Sequence, residues 1–334
     1  MQDVATLAGV SKQTVSNIIS GRAQVRPETE ARVRRAIDEL GFSPNLVARS
    51  LATGSTQTAG LFVPTVASSF YSEVVEEVEN VLGAHGYHLM LCTTRSDGER
   101  ARKYLETLSS RAVDALLIAG DRDLIDHLPL LQDARFPVAL CAWETDIPDT
   151  LPVVTIDYEH AGFLAGKHLR ELGHYRAAVI TELPAHVKRA AGFWRGFAGR
   201  AGGAAAEGPV VDAVDSSPEG GFEAATRVLA EHPETTALFA THDILALGVI
   251  DAVKQSGRSV PDDVSVVGLD DIPQVGHAHP ALTTVAIPKR EMAQQAVDLL
   301  LRAIAERRAP ANAVSLLRPV LIARESTAAP RTRA

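Results

Sequence analysis

Within the first fifty residues, Lys12, Gln13, Ser16, Asn17 and Ser20 recur at spacings that gather them on one side of a helix. Val15, Ile18 and Ile19 fall on the opposite side at 100° per residue. A lysine, two amides and hydroxyls are the groups that hydrogen-bond base edges and phosphate oxygens in a major groove. Chemistry of other kinds has no comparable constellation. The sequence contains no Walker-type glycine loop and no nucleophile–base–orienter set. Catalysis therefore has no positive sign, and no cofactor is expected. His277 and His279 offer two imidazoles without a third ligand at metal spacing, which reads as a polar loop. Cys92 and Cys141 each lie inside apolar strand-like runs, as small hydrophobes of a reduced interior do.

The polar helix face needs elements to position it. Ser11 is a good N-cap for the helix that carries it, and Gly9-Val10 supplies the preceding turn. Val4, Leu7 and Ala8 give a short upstream helix with its own apolar stripe. That helix begins at about Asp3, with only Met1-Gln2 ahead and no Ser or Thr to cap it. The expectation is either a start further upstream or a weak first helix. A third helix opens at Arg26-Pro27, with Pro27 at N1 and Glu28 and Glu30 in the positive-dipole first turn. Val33, Ala36, Ile37 and Leu40 form its buried stripe and Gly41 sits at C′. Three short helices, the first two joined through a glycine turn, read as a helix-turn-helix domain.

The segments DVATLAGVSKQTVSNIISG, VRPETEARVRRAIDELGFSPN and NLVARSLATG together resemble the headpiece and hinge of the lactose-repressor family of bacterial transcription regulators. The likeness is dense over Asp3–Gly54. It implies that Lys12, Gln13 and Asn17 reach base edges while Ser11, Thr14, Ser16 and Ser20 position the helix on phosphates. The hinge, Asn45–Thr53, is about two and a half turns long, and a helix so short is marginal alone. Val47, Ala48, Leu51 and Ala52 give it an apolar face. It is expected to order on DNA, with Asn45 and Ala48 at the contact and Leu51 wedged into a minor-groove step.

From Ala59 the pattern alternates between apolar strands and helices, which means parallel sheets covered on both faces. Strands are expected at Thr58–Pro64, His88–Thr94, Asp114–Gly120, Pro137–Trp143, Pro152–Asp157, Ala177–Glu182, Val210–Val214, Ala237–His242, Val264–Asp270 and Val314–Ala323. Helices are expected from about Phe70 to His85, at Tyr158–Leu172 and at Lys289–Ile304, the last with Met292, Ala296, Leu299 and Leu300 inward. The units divide into two lobes near Asp157, and the cleft between lobes is the default ligand site. The body resembles the same family's effector-binding core, which shares its architecture with periplasmic sugar-binding proteins. That likeness implies site residues. PTVASSFY places Phe70 and Tyr71 toward the cleft. Arg189-Ala-Ala-Gly192-Phe193 matches an R-x-x-G-F whose arginine binds effector. THDILALG has His242 where an asparagine is usual, which introduces a pH dependence an amide lacks. VVGLDD ends in Asp270, matching an effector-binding aspartate. The chain departs from the family at Ser216-Ser217-Pro218, where an aromatic is common. It departs again at Ala142-Trp143, where Asp-Arg is common, and Trp143 there serves either stacking or packing.

The 334 residues exceed one small domain. Residues 1–58 carry seven Lys/Arg against five acids, a balance of +2, so with −8 overall the remainder carries −10. A mildly basic head on an acidic body fits a specific DNA binder rather than a general polyanion coater. No signal-type start and no run of about 18 apolar residues is present, so neither export nor membrane spanning is expected and the protein is placed in the cytoplasm. The expected organisation is a helix-turn-helix headpiece (1–42), a hinge (43–57), a two-lobed α/β effector-binding and dimerisation core (58–326) and a polar tail (327–334). The tail has no heptad leucines for a tetramerising coiled coil. The expected partners are a pseudopalindromic operator DNA, a small-molecule effector such as a sugar, and a second copy of the chain. A solute-binding protein without a DNA role is the alternative, disfavoured by the headpiece.

Overall fold

The computed structural model describes residues 1–20, 25–42, 50, 53–109, 112–120, 131, 134, 136–144, 150–182, 186–199, 208–306 and 313–331. The chain divides into two units, Met1–Gln57 and Thr58–Ala334.

The first unit holds α1 (Gln2–Ala8), α2 (Lys12–Ser20) and α3 (Pro27–Glu39). Val4, Ala5, Ala8, Val15, Val33 and Ala36 form its core, with Ile18, Ile19, Ile37 and Phe42 packed at its margin. Leu7 and Leu40 depart from the expected stripes, at 47% and 45% exposed. In α1 the buried positions are Val4, Ala5 and Ala8, so Ala5 faces inward in place of Leu7. Leu40 is the residue on which α3 ends, so it no longer follows the helical face. A left-handed Gly41 then lets the Phe42 N–H reach Ile37 O at 2.9 Å, and the two side chains close the end apolarly. Ser11 caps α2 through a bond from Thr14 N–H to its Oγ (3.1 Å). Met1 stands at the N-cap of α1 and makes no side-chain cap bond.

The second unit contains two six-stranded sheets. Its elements are β1 (Thr58–Val63), α4 (Ser69–Ala84), β2 (His88–Thr93), α5 (Gly98–Leu108), β3 (Ala115–Ala119), β4 (Val138–Cys141), β5 (Val153–Ile156), α6 (Tyr158–Glu171), β6 (Ala177–Thr181), α7 (Val187–Ala198), β7 (Val210–Asp212), α8 (Pro218–Glu231), β8 (Ala237–Ala240), α9 (Asp243–Gln255), β9 (Ser265–Asp270), β10 (Thr283–Ala286), α10 (Lys289–Glu306), β11 (Val314–Leu317) and β12 (Val320–Ile322). The first sheet runs β11-β5-β4-β3-β1-β2 and the second β12-β10-β9-β8-β6-β7. All pairings are parallel except that of β12 with β10. Central strands such as β3, β4, β6 and β9 are buried along their whole length, while β2, β7, β11 and β12 at the margins are partly exposed. That is the burial expected of parallel strands covered on both faces.

The single strand expected over Val314–Ala323 is two strands in different sheets. Pro319 breaks it, having no N–H for a ladder and a fixed φ. The chain therefore passes between lobes three times, near Asp157, between Ala286 and Lys289, and at Arg318-Pro319, where the sequence pattern pointed to one passage near Asp157.

Candidate functional site

On α2, Ser11, Lys12 and Gln13 are exposed, and Thr14, Ser16 and Asn17 are half-buried. Gln13 Nε2 donates to Asn17 Oδ1 at 3.0 Å, the i,i+4 pair of one helix face. Ser11 Oγ is shared between the Thr14 N–H and the Thr14 hydroxyl. The Ser20 side chain and the hinge positions Asn45, Ala48 and Leu51 lie outside the described residues.

In the second unit Asp270 and His242 sit where parallel strands end, while Arg189, Phe70 and Tyr71 come from helices. Strand β9 ends at Asp270, whose backbone is held at φ 125° and whose side chain is 5% exposed. Its carbonyl accepts from Lys289 Nζ at 2.8 Å. Burial pushes the Asp270 carboxyl well above its ordinary range, and the Arg189 guanidinium pulls against that shift. After β8, Thr241 and His242 lead into α9, and Asp243 is fully buried. Asp243 accepts from Ile272 N–H (2.9 Å) and the Thr284 hydroxyl (2.5 Å), fastening the turn after Asp270. Its burial raises its pKa to about 6.

Arg189 projects from α7, and glycines decide where α7 lies. A Cβ at Gly192 would stand 1.9 Å from Glu159 O, and one at Gly166 2.1 Å from Phe193 O. Helices α6 and α7 thus touch backbone to backbone, which only glycine permits. Phe193 is fully buried, stacked 5.1 Å from Phe239. The R-x-x-G-F run therefore reads physically as one side chain sent to the cleft, one close approach and one core anchor.

Arg189 itself is 5% exposed and makes a dense set of contacts. Nε and Nη2 meet Glu144 Oε2 at 2.9 and 2.8 Å, Nη1 donates to Thr241 O at 2.6 Å, and Cζ lies 4.5 Å from the Tyr158 ring centroid. Glu144 comes from the other lobe, three residues past the end of β4. Thr155 Oγ1 fixes that segment by donating to Trp143 O (2.6 Å). His186 Nδ1 also meets Glu144 Oε2 (2.9 Å), and Lys188 Nζ donates to Glu144 O (2.6 Å). Burial pushes the Glu144 carboxyl up and Arg189 draws it back down. Three N–H groups converging on Oε2 are satisfied by the ionised form, and that is the state we assign.

The sequence-predicted residues are brought together to different degrees. Arg189 and Asp270 interact electrostatically, and Tyr71 shares that field through Tyr158. Phe70 packs against the cores of both lobes, 5.2 Å edge-on to Tyr71. His242 lies 4.4 Å from His186, ring edge to ring face. Trp143 is 1% exposed among Phe62, Leu116 and Leu140, a packing residue. Ser217 caps α8 (Gly220 N–H to Oγ, 3.0 Å), at the position where the family likeness implies an aromatic. His277 and His279 are on an exposed loop, and no metal-binding group of three ligands occurs among the described residues. A groove of about 590 Å³ between α4 and the start of α10 shares Lys289 with the cluster. Sequence reasoning did not single out Glu144, Tyr158, His186 or Lys188. The available signal was position alone, since Glu144 closely follows a central parallel strand.

Comparison with known proteins agrees with this architecture. Residues 1–45 match the model described as bacterial regulatory proteins, lacI family, and residues 167–327 match a periplasmic binding protein-like domain. The chain is 36% identical over 332 residues to the HTH-type transcriptional repressor PurR of Edwardsiella ictaluri, covering 98% of this chain and 96% of that one. It superposes on the lac repressor dimer bound to operator and the anti-inducer ONPF with a TM-score of 0.83 at 28% identity, covering 98% of each chain. With a complex of the transcriptional regulator CelR and cellobiose the TM-score is 0.72 at 30% identity, covering 97% and 98%. A headpiece of this type, a two-lobed core and identity sustained along nearly the whole length place the chain in the LacI family of bacterial regulatory proteins.

Proposed function

We propose that this chain is a ligand-responsive transcription repressor. It binds a pseudopalindromic operator as a homodimer, acts in the cytoplasm and performs no turnover. The observation that carries the reading is the presence on one chain of two separate recognition devices. One is a capped helix with Lys12 and Gln13 exposed. The other is a buried cluster at the lobe boundary, in which Arg189 interacts electrostatically with the strained Asp270 and meets Glu144 of the first lobe. Lys12, Gln13 and Asn17 read bases, and Ser11, Thr14, Ser16 and Ser20 set the helix on the backbone. The domain boundaries follow the sequence reading, with Asn45, Ala48 and Leu51 as the hinge contact. Phe70, Tyr71, Arg189, His242 and Asp270 form the effector site, which takes a sugar or related metabolite. The related CelR structure with cellobiose, and that of a LacI family regulator from Enterococcus faecium with bound ribose, 26% identical to this chain, support that class.

Two sites on one chain become regulatory when the ligand prefers one lobe arrangement over another, since only differential affinity shifts an equilibrium. Gel shift on the protein's own promoter DNA, with and without ribose, cellobiose or a purine base, tests this. A ligand that changes operator affinity in wild type and has no effect on Arg189→Ala is the expected outcome. Equal binding of that ligand by both proteins in isothermal titration would sink the placement.

A further inference from the structure

The Arg189 guanidinium, the strongest donor of the cluster, is already occupied by this chain's own carboxylate. Glu144 reaches it from the opposite lobe at 2.8 and 2.9 Å, and Thr241 O accepts from Nη1, so the guanidinium's charge is paired although N–H groups on Nη1 and Nη2 remain. Other cations nearby are also committed. Lys188 bonds Glu144 O, and Lys289 bonds the carbonyls of Asp270 and Asp271 and forms an ion pair with Glu73. Among the described residues no donor hydrogen-bonds the Asp270 carboxyl, although Asp270 is almost wholly buried. The Asp270 carboxyl is therefore available as an acceptor, while the positive charges of the cluster are already paired with this chain's own oxygens.

We propose that Glu144 is a specificity-determining residue that fills the seat an anionic group would take on Arg189. It reserves the cleft for uncharged, donor-rich ligands such as sugars and refuses carboxylates and phosphates. The proposal rests on Arg189 and Asp270 forming the effector site. A phosphate or carboxylate entering the cleft has to take Arg189 from Glu144. That leaves Glu144 buried without its guanidinium and removes a contact that joins the lobes. A neutral polyol has no such requirement. Its hydroxyls donate to Asp270 while the Glu144–Arg189 pair stays closed, with the Tyr158 and Tyr71 rings beside it. Selectivity here comes from a repulsive element built against the wrong ligand.

The test is isothermal titration of the full chain with inorganic phosphate and with acetate, using wild type, Glu144→Gln, Arg189→Ala and the double variant. Glutamine keeps the shape and one acceptor oxygen for Arg189 but removes the charge. Wild type is expected to take up neither anion through Arg189. Glu144→Gln is expected to bind phosphate roughly tenfold or more tightly than wild type, because a unit charge a few ångströms away in a part-buried site is worth at least that factor. The gain should vanish in the double variant. Phosphate binding by wild type that is lost in Arg189→Ala overturns the proposal, as does a Glu144→Gln protein with no gain. Should that variant fail to fold, Glu144→Ala provides the second arm. Acetate must then raise its melting temperature, or its refolding yield, more than that of wild type, and no such rescue also overturns the proposal. Titrations of ribose and cellobiose into Arg189→Ala and Asp270→Asn decide the effector site itself. Because they use no anion, the two ideas fail separately.

Discussion

Asp270 carries the stability cost of the proposed effector site. A non-glycine residue at φ 125° is strained, and its carboxyl is buried without a hydrogen-bond donor among the described residues. Both features cost stability and persist only where something else depends on them. Its raised pKa means this group favours the fold when protonated, and that contribution is lost as pH rises through the folded value. Asp270→Asn should therefore not lower the urea midpoint at pH 8, while abolishing the ligand's effect on operator binding. A clear loss of stability in that variant would contradict the assignment. Asp243 obeys the same sign with a different purpose. Its carboxyl, raised to about 6, is committed to Ile272 N–H and Thr284 and touches no proposed ligand position. Stability from this group is fully present below its ordinary value of 3.8 and declines as pH rises through about 6. Asp243→Asn, fixed in the neutral form, should flatten the fall in stability over that window by on the order of 2–3 kcal/mol. Denaturant midpoints at a series of pH values measure it.

At the level of elements, what was legible in the sequence was what periodicity and punctuation encode. The capped α2, Pro27 at the head of α3 and the apolar strands β3, β4, β6 and β9 follow from local rules, and the effector-side residues came through family likeness. Contacts between elements distant in sequence were not legible. Nothing in CAWE announces that Glu144 meets Arg189, because the meeting depends on how two lobes face each other. The glycines of α6 and α7 lie between these cases. Gly162-x-x-x-Gly166 and Gly192-x-x-x-Gly196 are visible as spacing, but only the structure supplies the opposing carbonyls. In an exposed helix, Gly192→Ala would gain about 1 kcal/mol of helix propensity. Here the new Cβ meets Glu159 O at 1.9 Å, and the overpacking, about 1–3 kcal/mol or more, outweighs that gain. The variant should melt earlier than wild type and bind the effector more weakly, since α7 carries Arg189. On α2 the sign of the argument differs, because its polar face is exposed. Gln13→Ala and Asn17→Ala should leave headpiece melting nearly unchanged. Each should cost about 1–3 kcal/mol of operator binding and relax specificity at particular base pairs. Equal losses on operator and random DNA in gel shifts would show instead that both residues serve only the phosphate backbone.

For the molecule as a whole, three chain passages between lobes limit which lobe motions are possible, and Lys289 sits beside one of them. It begins α10, directly after the passage from β10, and is 8% exposed. Its Nζ bonds Asp270 O at 2.8 Å and Asp271 O at 3.1 Å on the second lobe, and it lies 3.2 Å from Glu73 on α4 of the first. Gln274 Nε2 adds a bond across the same boundary to Ser69 Oγ (2.7 Å). The strained turn that carries the proposed effector aspartate is thus tied to the helix that carries Phe70 and Tyr71. A ligand that shifts Asp270 would pull on α4 through this ammonium group, alongside the Gln274–Ser69 bond. Lys289→Met keeps volume and removes the tie. Glu73 is then left partly buried without its cation, and because it is 28% exposed the cost falls below that of a fully buried broken pair, at about 1–3 kcal/mol. Glu73→Gln supplies the control, since it removes the ion pair but leaves the Lys289 bonds to Asp270 and Asp271. If Lys289 positions Asp270, Lys289→Met should raise the concentration of sugar needed for half-response by roughly tenfold, about 1.4 kcal/mol of lost preorganisation. Glu73→Gln should leave that concentration near the wild-type value while sharing part of the stability loss. Matching shifts in both variants would mean that the ion pair, and with it α4, carries the coupling. No shift in either would mean that the lobes communicate elsewhere, through Glu144 and Arg189 at the other side of the boundary.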